Sequence, residues 1–325
     1  ISYLLFLLSG LAKGLINMNT EGIKKWNADA IVMNKDANQT VAQSIVDKDK
    51  VDGKYKKQAT LKQTGVIASN GNDEENALMF GTEQPSFLVP KIVKGHKVHK
   101  DKEVMIDQSL ANKGFKVGDQ LSLSQSDVKL KVVGVTESAK YNASSVIFAN
   151  NQTVAKVNPQ LQGDKVNAVV VKDKKWKDKS LDSKLEAVSM DNFIEQLPGY
   201  KPQNLTLNFM ITFLFIISAT VIGVFLYVMT LQKKQLFGVL KAQGFTNGYL
   251  SKVVLSQTFI LALIGTVIGF GLTLLTSAFL PDAVPIKLDL LTLLLFGVAL
   301  IVISLLGSVF SILSIRKIDP LKAIG

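Results

Sequence analysis

Three apolar runs without a charged residue dominate the C-terminal third of this 325-residue chain. They are Leu205–Leu231, Val253–Leu280 and Leu290–Ile315. Each is longer than the roughly 20 apolar residues that an α-helix needs to cross the hydrocarbon core of a bilayer. An uncharged run of that length is typical of a transmembrane helix. The chain is therefore predicted to place these three runs in lipid, and its fold has to be built around them.

A fourth apolar segment, ISYLLFLLSGLAKGLI, begins the sequence. It is slightly short for a span. We interpret it as the end of a first transmembrane helix, residues 1–19, whose beginning lies upstream of Ile1. A signal peptide with a small-residue cleavage site at Gly10–Ala12 is the alternative. The lack of a basic segment before it, and the apolar pattern that resumes after Lys13, favour the helix.

The charges between the apolar runs predict the orientation. Segment 232–252 contains four lysines and no acidic residue, and the tail 316–325 is mostly basic. The turn 281–289 contains one lysine and two aspartates. Because cytoplasmic loops are enriched in Lys and Arg, we expect 232–252 and 316–325 in the cytoplasm and 281–289 outside. Residues 20–204 are then outside as well, since long domains cross the membrane largely regardless of charge.

The long segment 20–204 is predicted to be an α+β domain. The stretches NADAIVMN, VKLKVVGVTES and VNAVVVKD are rich in β-branched residues and predict strands, and a short helix is expected near Asp107–Lys113. The predicted fold class is therefore a membrane α-helical protein with four transmembrane helices, at 1–19, 205–231, 253–280 and 290–315. The α+β extracytoplasmic domain is inserted between the first and second helices.

Several kinds of chemistry are disfavoured by the sequence. The net charge is +11, but it comes from lysines, and Arg316 is the one arginine, so nucleic acid is not an expected partner. The Gly53–Lys54 pair is followed by Tyr and does not form a nucleotide-binding loop. The chain lacks Cys, and His96 and His99 lie in an expected exposed turn, KGHKVHK, so no metal site of its own is predicted. We expect no catalytic site in this chain.

Small residues recur at four-residue spacing in two apolar segments. Gly10 and Gly14 form one pair, and Gly265 and Gly269 form another. Such pairs let helix backbones approach closely. They predict tight helix packing, either within the chain or across a dimer.

The basic segment LQKKQLFGVLKAQGFTNGYLSKV follows the second span and has an amphipathic pattern. Leu236, Phe237, Leu240 and Phe245 form an apolar edge, Gly244 is expected to end the helix, and Asn247-Gly248 is expected to form a turn. A short helix of this kind can fit into the groove of a partner protein. The alternative is an interfacial helix that rests on lipid headgroups.

The motifs GVLKAQGF at 238–245 and DPLKAIG at 319–325 resemble the FtsX-like, MacB-type family of ABC transporter permeases. The order of one span, a large outer domain and three spans is similar to that family along the whole chain. The resemblance implies a homodimer in the lipid bilayer with two copies of an ABC ATPase subunit that binds the ATP. It also implies that the segment matching Gly238–Tyr249 contacts the ATPase. The coupling residues predicted on this basis and on the amphipathic pattern are Leu236, Phe237, Gly238, Leu240, Lys241, Gly244 and Phe245.

The segments LSGLAKGL, DKEVMIDQSLANKGFKVGD, KYNASSVIF, LTLNFMI and FLYVMTLQKKQLFGVLKAQGF are more narrowly similar to permeases of Gram-positive haem exporters. This resemblance implies a Gram-positive cell membrane, haem as the transported ligand, no intrinsic cofactor, and no metal beyond the haem iron. Haem needs aromatic faces and an iron ligand such as Met or Tyr. The candidate ligand-binding residues near the outer boundary are Met18, Trp26, Tyr141, Tyr200, Phe209 and Met210. An interfacial aromatic belt and ordinary packing are the alternatives for these side chains.

Three other functions remain open at this point. Related permeases handle antimicrobial peptides or lipids, which makes such a substrate one alternative. A second is a mechanotransmitter, in which ATP-driven movement controls an outer partner and nothing is transported. A membrane-anchored enzyme is the third, although we find no catalytic set of residues in 20–204.

Overall fold

The computed structural model describes residues 1–83, 85–124, 126–281 and 284–316. The predicted tail beyond Arg316, with its DPLKAIG motif, lies outside the described residues, as do Asp282 and Ala283 of the predicted outer turn. The chain divides into a helical unit, Ile1–Leu15 with Asn204–Gly325, and a sheet unit, Ile16–Gln203.

Eight α-helices lie in the described part of the chain, and two of them, the first and the fifth, contribute residues to both units. In chain order they are α1 Ser2–Trp26, α2 Gln108–Ala111, α3 Asn151–Val157, α4 Met190–Glu195, α5 Tyr200–Gln232, α6 Lys234–Ala242, α7 Asn247–Phe279 and α8 Leu290–Arg316.

Within the described residues, α5, α7 and α8 are long and apolar enough to cross a membrane. In each of these helices, between 11% and 22% of the most apolar stretch of 18 residues is buried inside the protein. The remaining apolar surface is stable only in a lipid environment, because water would penalise an exposed patch of this size. Helix α1 carries Lys13 and, further along, Glu21, Lys24 and Lys25, and it is not among the three spans. Its assignment as a fourth span stays a prediction.

The first half of α1 packs inside the helical unit. Leu5 and Phe6 are fully buried against Leu293 and Leu300 of α8. The Phe6 ring meets the ring of Phe270 of α7 edge-on, with 6.3 Å between centroids. This apolar cluster fixes α1 against two of the membrane helices.

Glycines allow α1 to approach its neighbours closely. A Cβ atom on Gly14 would lie 1.7 Å from the carbonyl oxygen of Pro285, and one on Gly10 would lie 2.8 Å from the Leu288 side chain. A Cβ atom on Gly269 of α7 would lie 2.3 Å from Ser2 Oγ. The predicted close approach is thus confirmed within the chain at these three positions. At Gly265 an added Cβ would meet open space, although its carbonyl accepts a 2.8 Å hydrogen bond from Ser2 Oγ.

Polar contacts join α1 to the segment that leads into α8. The backbone N–H of Lys287 donates to the Gly10 carbonyl at 3.0 Å. The Lys13 ammonium pairs with the Asp289 carboxylate and donates to Thr292 Oγ1 at 3.3 Å. The hydrogen bonds from Lys13 and then Thr292 lower the pKa of Asp289. These contacts hold the middle of α1 in register with the start of α8.

The sheet unit contains twelve strands among the described residues. They are β1 Ala30–Asn34, β2 Val46–Asp47, β3 Gln58–Ser69, β4 Glu74–Thr82, β5 Ile92–Gly95, β6 Glu103–Asp107, β7 Gln120–Leu123, β8 Ser126–Thr136, β9 Ser145–Asn150, β10 Lys165–Val166, β11 Ala168–Val171 and β12 Leu185–Ser189.

Ten of these strands form one mixed sheet in the order β12-β1-β11-β3-β4-β9-β6-β8-β5, with β7 paired to β3 and β8, and β2 pairs with β10 in a separate sheet of two strands. Pairs β4–β9 and β6–β8 are parallel, and the remaining pairs are antiparallel. The predicted strands and the short helix after Asp107 are present, which confirms the α+β prediction for this segment.

Side-chain alternation divides the core of the sheet unit between two faces. In β1, Ile31 and Met33 join one cluster while Ala30 and Val32 join another, as expected from the period of two in a strand. The first cluster also contains Trp26 of α1, so the sheet covers the last turn of that helix.

Candidate functional site

Helix α6 lies in the segment predicted to couple the chain to an ATPase. We define the coupling segment as Lys233–Tyr249, which contains α6 and the beginning of α7. Phe237 is 5% exposed and packs against Leu250 and Val254 of α7, with Leu240 beside it. These contacts anchor α6 to α7, and Ile312 of α8 packs against the same cluster.

A glycine ends α6 as the sequence predicts. Gly244 has a φ of +96°, a left-handed conformation that strongly favours glycine. The N–H of Gly244 donates to the Lys241 carbonyl at 3.0 Å, and the N–H of Phe245 donates to the Leu240 carbonyl at 3.1 Å. This pair of bonds is a Schellman motif. It fixes the direction in which the chain leaves α6.

The residues that follow Gly244 do not form the turn that Asn247-Gly248 suggests. Asn247 and Gly248 are instead the first residues of α7, because Thr246 caps that helix by accepting a 3.2 Å hydrogen bond from the N–H of Tyr249. The turn prediction was wrong, because Thr246 occupies an N-cap position, where Thr is favoured, and Asn247 and Gly248 continue from it as helical residues.

The coupling segment has an exposed apolar surface that differs from the predicted edge. Leu236, Val239, Phe245 and Tyr249 are each at least 40% exposed, and the rings of Phe245 and Tyr249 lie 5.1 Å apart. Phe237, one of the predicted contact residues, is buried and packs under α6, and its contact with an ATPase stays a prediction. Val239 and Tyr249 lie in the segment that the resemblance implies contacts the ATPase, but they are not among the seven coupling residues predicted individually, although Val239 follows Leu236 at helical spacing.

In the sheet unit, the second half of α1 is held by the loop 138–144. Gly22 donates its N–H to the Lys140 carbonyl at 2.8 Å, and a Cβ atom on it would lie 2.6 Å from the Ala139 oxygen. Glu21 accepts a 2.7 Å hydrogen bond from Ser138 Oγ. The carbonyls of Met18 and Asn19 accept hydrogen bonds from the backbone of this loop at 3.2 and 3.0 Å. The loop therefore contacts α1 over two turns.

A buried carboxylate ties the same loop to the core. Asp107 is fully buried and accepts a 3.2 Å hydrogen bond from the N–H of Ala139. It also accepts bonds from Ser109 Oγ and from the N–H of Leu110. Burial raises the pKa of Asp107, and the hydrogen bonds oppose this effect. Asp107 thus positions the loop that contacts α1.

Two of the predicted ligand residues meet in the core of the sheet unit. Trp26 is 2% exposed and Tyr141 is 5% exposed, and their rings stack with 6.3 Å between centroids. Phe80 meets the Tyr141 ring edge-on at 5.3 Å. Burial raises the pKa of the Tyr141 hydroxyl, which is therefore neutral at physiological pH. A ligand would reach these two rings only after this cluster opened.

The other predicted ligand residues are more accessible. Met18 is half-buried on α1, and Tyr200 is half-buried against the core of the sheet unit. Phe209 and Met210 lie on α5 in the helical unit and are 62% and 46% exposed. The rings of Phe209 and Phe213 are tilted by 40° to each other, with 4.5 Å between their centroids. These positions do not show whether any of the six residues contacts a ligand, so their role stays a prediction.

His96 and His99 are exposed, and their rings lie 5.6 Å apart. Within the described residues, no group of three or more His, Cys, Asp or Glu side chains could hold a metal ion. The backbone N–H groups of His99 and Lys100 bind the Glu103 carboxylate.

Comparison with known families decides what kind of protein carries these features. The MacB-like periplasmic core domain matches residues 4–184, which is more than half of the chain, and the FtsX-like permease C-terminal domain matches residues 208–320. The chain belongs to the FtsX-like, MacB-type permeases. It is therefore a membrane protein of the ABC transporter permease class.

Relatives of this permease match it over nearly its whole length. The permease HrtB of Staphylococcus haemolyticus, assigned by its name to a hemin transport system, is 28% identical over 100% of this chain and 92% of its own. HrtB of a Staphylococcus epidermidis strain is 27% identical over 98% of this chain and 90% of its own. An ABC transporter permease of Mycobacterium tuberculosis is 21% identical over 82% of this chain and 74% of its own.

Solved structures resemble the permease more weakly. The periplasmic region of MacB from Actinobacillus actinomycetemcomitans has a TM-score of 0.37 at 12% identity, over 57% of this chain and 98% of its own. The extracellular domain of YknZ from Gram-positive bacteria has the same TM-score at 11% identity, over 50% of this chain and 98% of its own. The family assignment rests on the sequence matches.

One contact between α1 and α5 in this permease is marked in the sequence by a single feature. Asn19 Nδ2 donates to Gln203 Oε1 at 2.8 Å, and Asn19 is 7% exposed. Its carbonyl also binds the 138–144 loop. Asn19 therefore joins three segments that are far apart in sequence, and a polar residue in the last apolar helical turns is the one feature that could have pointed to it.

Proposed function

We propose that this permease exports haem from the membrane as part of an ABC transporter, in a homodimer driven by two copies of a separate ATPase subunit. The observation that carries the choice of haem is the full-length similarity to permeases whose name assigns them to hemin transport. The given sequence contains no nucleotide-binding loop, which supports the assignment of ATP hydrolysis to a separate subunit.

We place the sheet unit outside the cell and the coupling segment in the cytoplasm. Lys233, Lys234, Lys241 and Lys252 lie at the α5–α7 connection, and the positive-inside rule assigns this connection to the cytoplasm. Helix α5 then runs outwards from there to the sheet unit. In this proposal α1 is the fourth span, which is supported by the burial of Leu5 and Phe6 among the membrane helices.

The exposed surface of the coupling segment is proposed to receive the ATPase. Leu236, Val239, Phe245 and Tyr249 supply an apolar patch with two aromatic rings, and aromatic side chains are enriched at the core of protein interfaces. The Schellman motif at Gly244 and the buried Phe237 hold this patch in a fixed geometry. A rigid contact of this kind transmits movement of the ATPase to α5 and α7.

Phe209 and Met210 are the proposed first contacts for haem. They are the predicted residues whose side chains are already exposed, and they offer an aromatic face and a thioether that can ligate iron. Trp26 and Tyr141 are proposed to contact haem only in a state in which their cluster opens. Transport requires that the two states of the permease differ in affinity for haem.

Haem titration of the full chain in zwitterionic nanodiscs tests the ligand. We expect a saturable Soret shift that Met210→Ala weakens, because the iron loses a sulfur ligand. Phe259→Met is the matched control, since it places a thioether at a similarly exposed site on α7. A Soret response that is absent, or that is identical in the wild type and Met210→Ala, contradicts the assignment of Met210.

ATP hydrolysis by the permease with its ATPase subunit tests the transport cycle. We expect haem to stimulate hydrolysis in nanodiscs and Leu236→Ala to reduce assembly with the ATPase. Stimulation by a lipid or an antimicrobial peptide, with none by haem, would instead support the broader MacB-type substrates. Hydrolysis that responds to no ligand but to an outer protein partner would support the mechanotransmitter.

A further inference from the structure

A concave surface on the sheet unit is lined mainly by lysines, with Asn27 among the other lining residues. Its volume is about 970 Å³. We call it the lysine cleft and define it by the six lysines that line it, Lys56, Lys57, Lys172, Lys174, Lys175 and Lys179. Asp29 and Asp173 also line it, which leaves a net charge of +4. No part of the proposed haem path or of the coupling segment contributes to this surface.

The cleft is built by backbone contacts that hold two lysine-bearing segments together. The Lys172 N–H donates to the Lys57 carbonyl at 2.8 Å. The Asp173 carboxylate accepts hydrogen bonds from the N–H of Lys56 at 3.1 Å and from the N–H of Lys175 at 3.0 Å. These bonds lower the pKa of Asp173, so it stays ionised. Asp173 thus positions the two lysine-bearing segments relative to each other.

The ammonium groups of the cleft have no acidic partner in contact. Among the residues that the structure describes, none of the six lysines forms an ion pair within 4.0 Å. Other lysines of the same unit, such as Lys48 with Glu83 at 2.6 Å, do form such pairs. Grouped like charges repel one another, and this repulsion is relieved when an anion binds.

We propose that the lysine cleft binds a linear polyanion with repeated phosphate groups. Lysine ammonium groups bind phosphate as point charges, and several of them along one groove suit a chain better than a single small anion. A concave surface admits a flexible chain, whereas the flat surface of a bilayer would contact only the rim of the cleft. The site is independent of haem transport and of the ATPase.

Binding of a fluorescent inorganic polyphosphate chain to the full permease in phosphatidylcholine nanodiscs tests the proposal. Lys174→Gln combined with Lys175→Gln should weaken binding about tenfold and should reduce the slope of log affinity against log salt by about 1.4, roughly 0.7 for each of the two lysines removed. The matched control is Lys129→Gln combined with Lys131→Gln, which removes two exposed lysines of β8 outside the cleft and should leave both quantities unchanged.

Each other outcome overturns the proposal. Equal weakening in both double variants would mean that the whole basic surface, not the cleft, attracts the chain. Competition by orthophosphate at the same phosphate concentration would mean that a single anion suffices. Binding to phosphatidylglycerol vesicles in the absence of polyphosphate binding would mean that the surface contacts lipid. No polyphosphate binding at low salt would mean that there is no site.

Discussion

Replacing Gly14 by Ala should disrupt the packing of α1 in the helical unit. The added Cβ atom would lie 1.7 Å from the Pro285 carbonyl oxygen and 2.4 Å from its carbonyl carbon. Since Cβ contacts below 3.0 Å essentially do not occur, the backbones have to separate by about 1.3 Å. A backbone carbonyl cannot rotate away as a side chain can. Overpacking of this kind costs about 1–3 kcal/mol.

The displacement also affects the neighbouring polar contacts. The hydrogen bond from Lys287 to Gly10, worth about 1 kcal/mol, joins the same two segments and should break. We therefore expect Gly14→Ala to destabilise the permease by about 2–4 kcal/mol in total. This effect is large for one methyl group, because most substitutions away from packed sites change stability by less than about 0.5 kcal/mol.

Thermal unfolding in nanodiscs, followed by tryptophan fluorescence and by aggregation, measures this effect. Gly265→Ala is the matched control, because its Cβ would meet open space and Ala is the better helix former. We expect a lower unfolding temperature for Gly14→Ala and an unchanged or higher one for Gly265→Ala. Equal unfolding temperatures for the wild type and Gly14→Ala would refute the packing of α1 against the Pro285 segment.

Three further predictions concern the coupling segment and the loop that contacts α1. Phe237→Ala should lower stability by about 3 kcal/mol through the loss of a buried ring, while Leu236→Ala should leave the unfolding temperature unchanged and reduce co-purification with the ATPase. Gly244→Ala should cost about 1–2 kcal/mol, because Ala disfavours the left-handed conformation, and should reduce ATPase stimulation more than ATPase binding. Burial raises the pKa of Asp107 in the folded protein, so folding favours the protonated form of this side chain. The stability that this preference adds is present below pH about 4 and is lost as the pH rises through the raised pKa. Unfolding of the wild type and of Asp107→Asn between pH 4 and 7 should show this step only in the wild type.

The membrane helices were predictable because lipid imposes a simple requirement on sequence. A helix in the hydrocarbon core has to be long and uncharged, and α5, α7 and α8 satisfy both conditions. The end of α6 was predictable for a similarly local reason, since Gly244 adopts a conformation that few other residues tolerate. The membrane helices and the end of α6 each depend on the residues of a single segment, so each can be inferred from the sequence of that segment.

The longest antiparallel pairing in the sheet unit, between β3 and β4, has no clear strand signal in the sequence. In β3, the buried residues include Thr60, Lys62 and Gln63, which break the expected alternation of apolar and polar side chains. Lys62 is satisfied by the carbonyls of Leu161 and Gly163, at 2.6 and 3.0 Å, about a hundred positions away in sequence. Burial disfavours the charged form of Lys62 and lowers its pKa. The buried ammonium is therefore tolerated because these distant carbonyls accept its hydrogen bonds. Periodicity cannot reveal them.

Helix α1 shows how the same residue type can be predictable in one unit and unpredictable in the other. Gly10 and Gly14 form a recognisable small-residue pair, and both make close contacts in the helical unit. Gly22 makes an equally close contact with Ala139 in the sheet unit, but it has no partner at four-residue spacing in the sequence. Its role follows from the loop 138–144, whose position depends on the buried Asp107. Substitution of Gly22 should therefore disturb the loop and the Asp107 network together, so that a Gly22→Ala variant loses the pH step of the wild type although its carboxylate is intact.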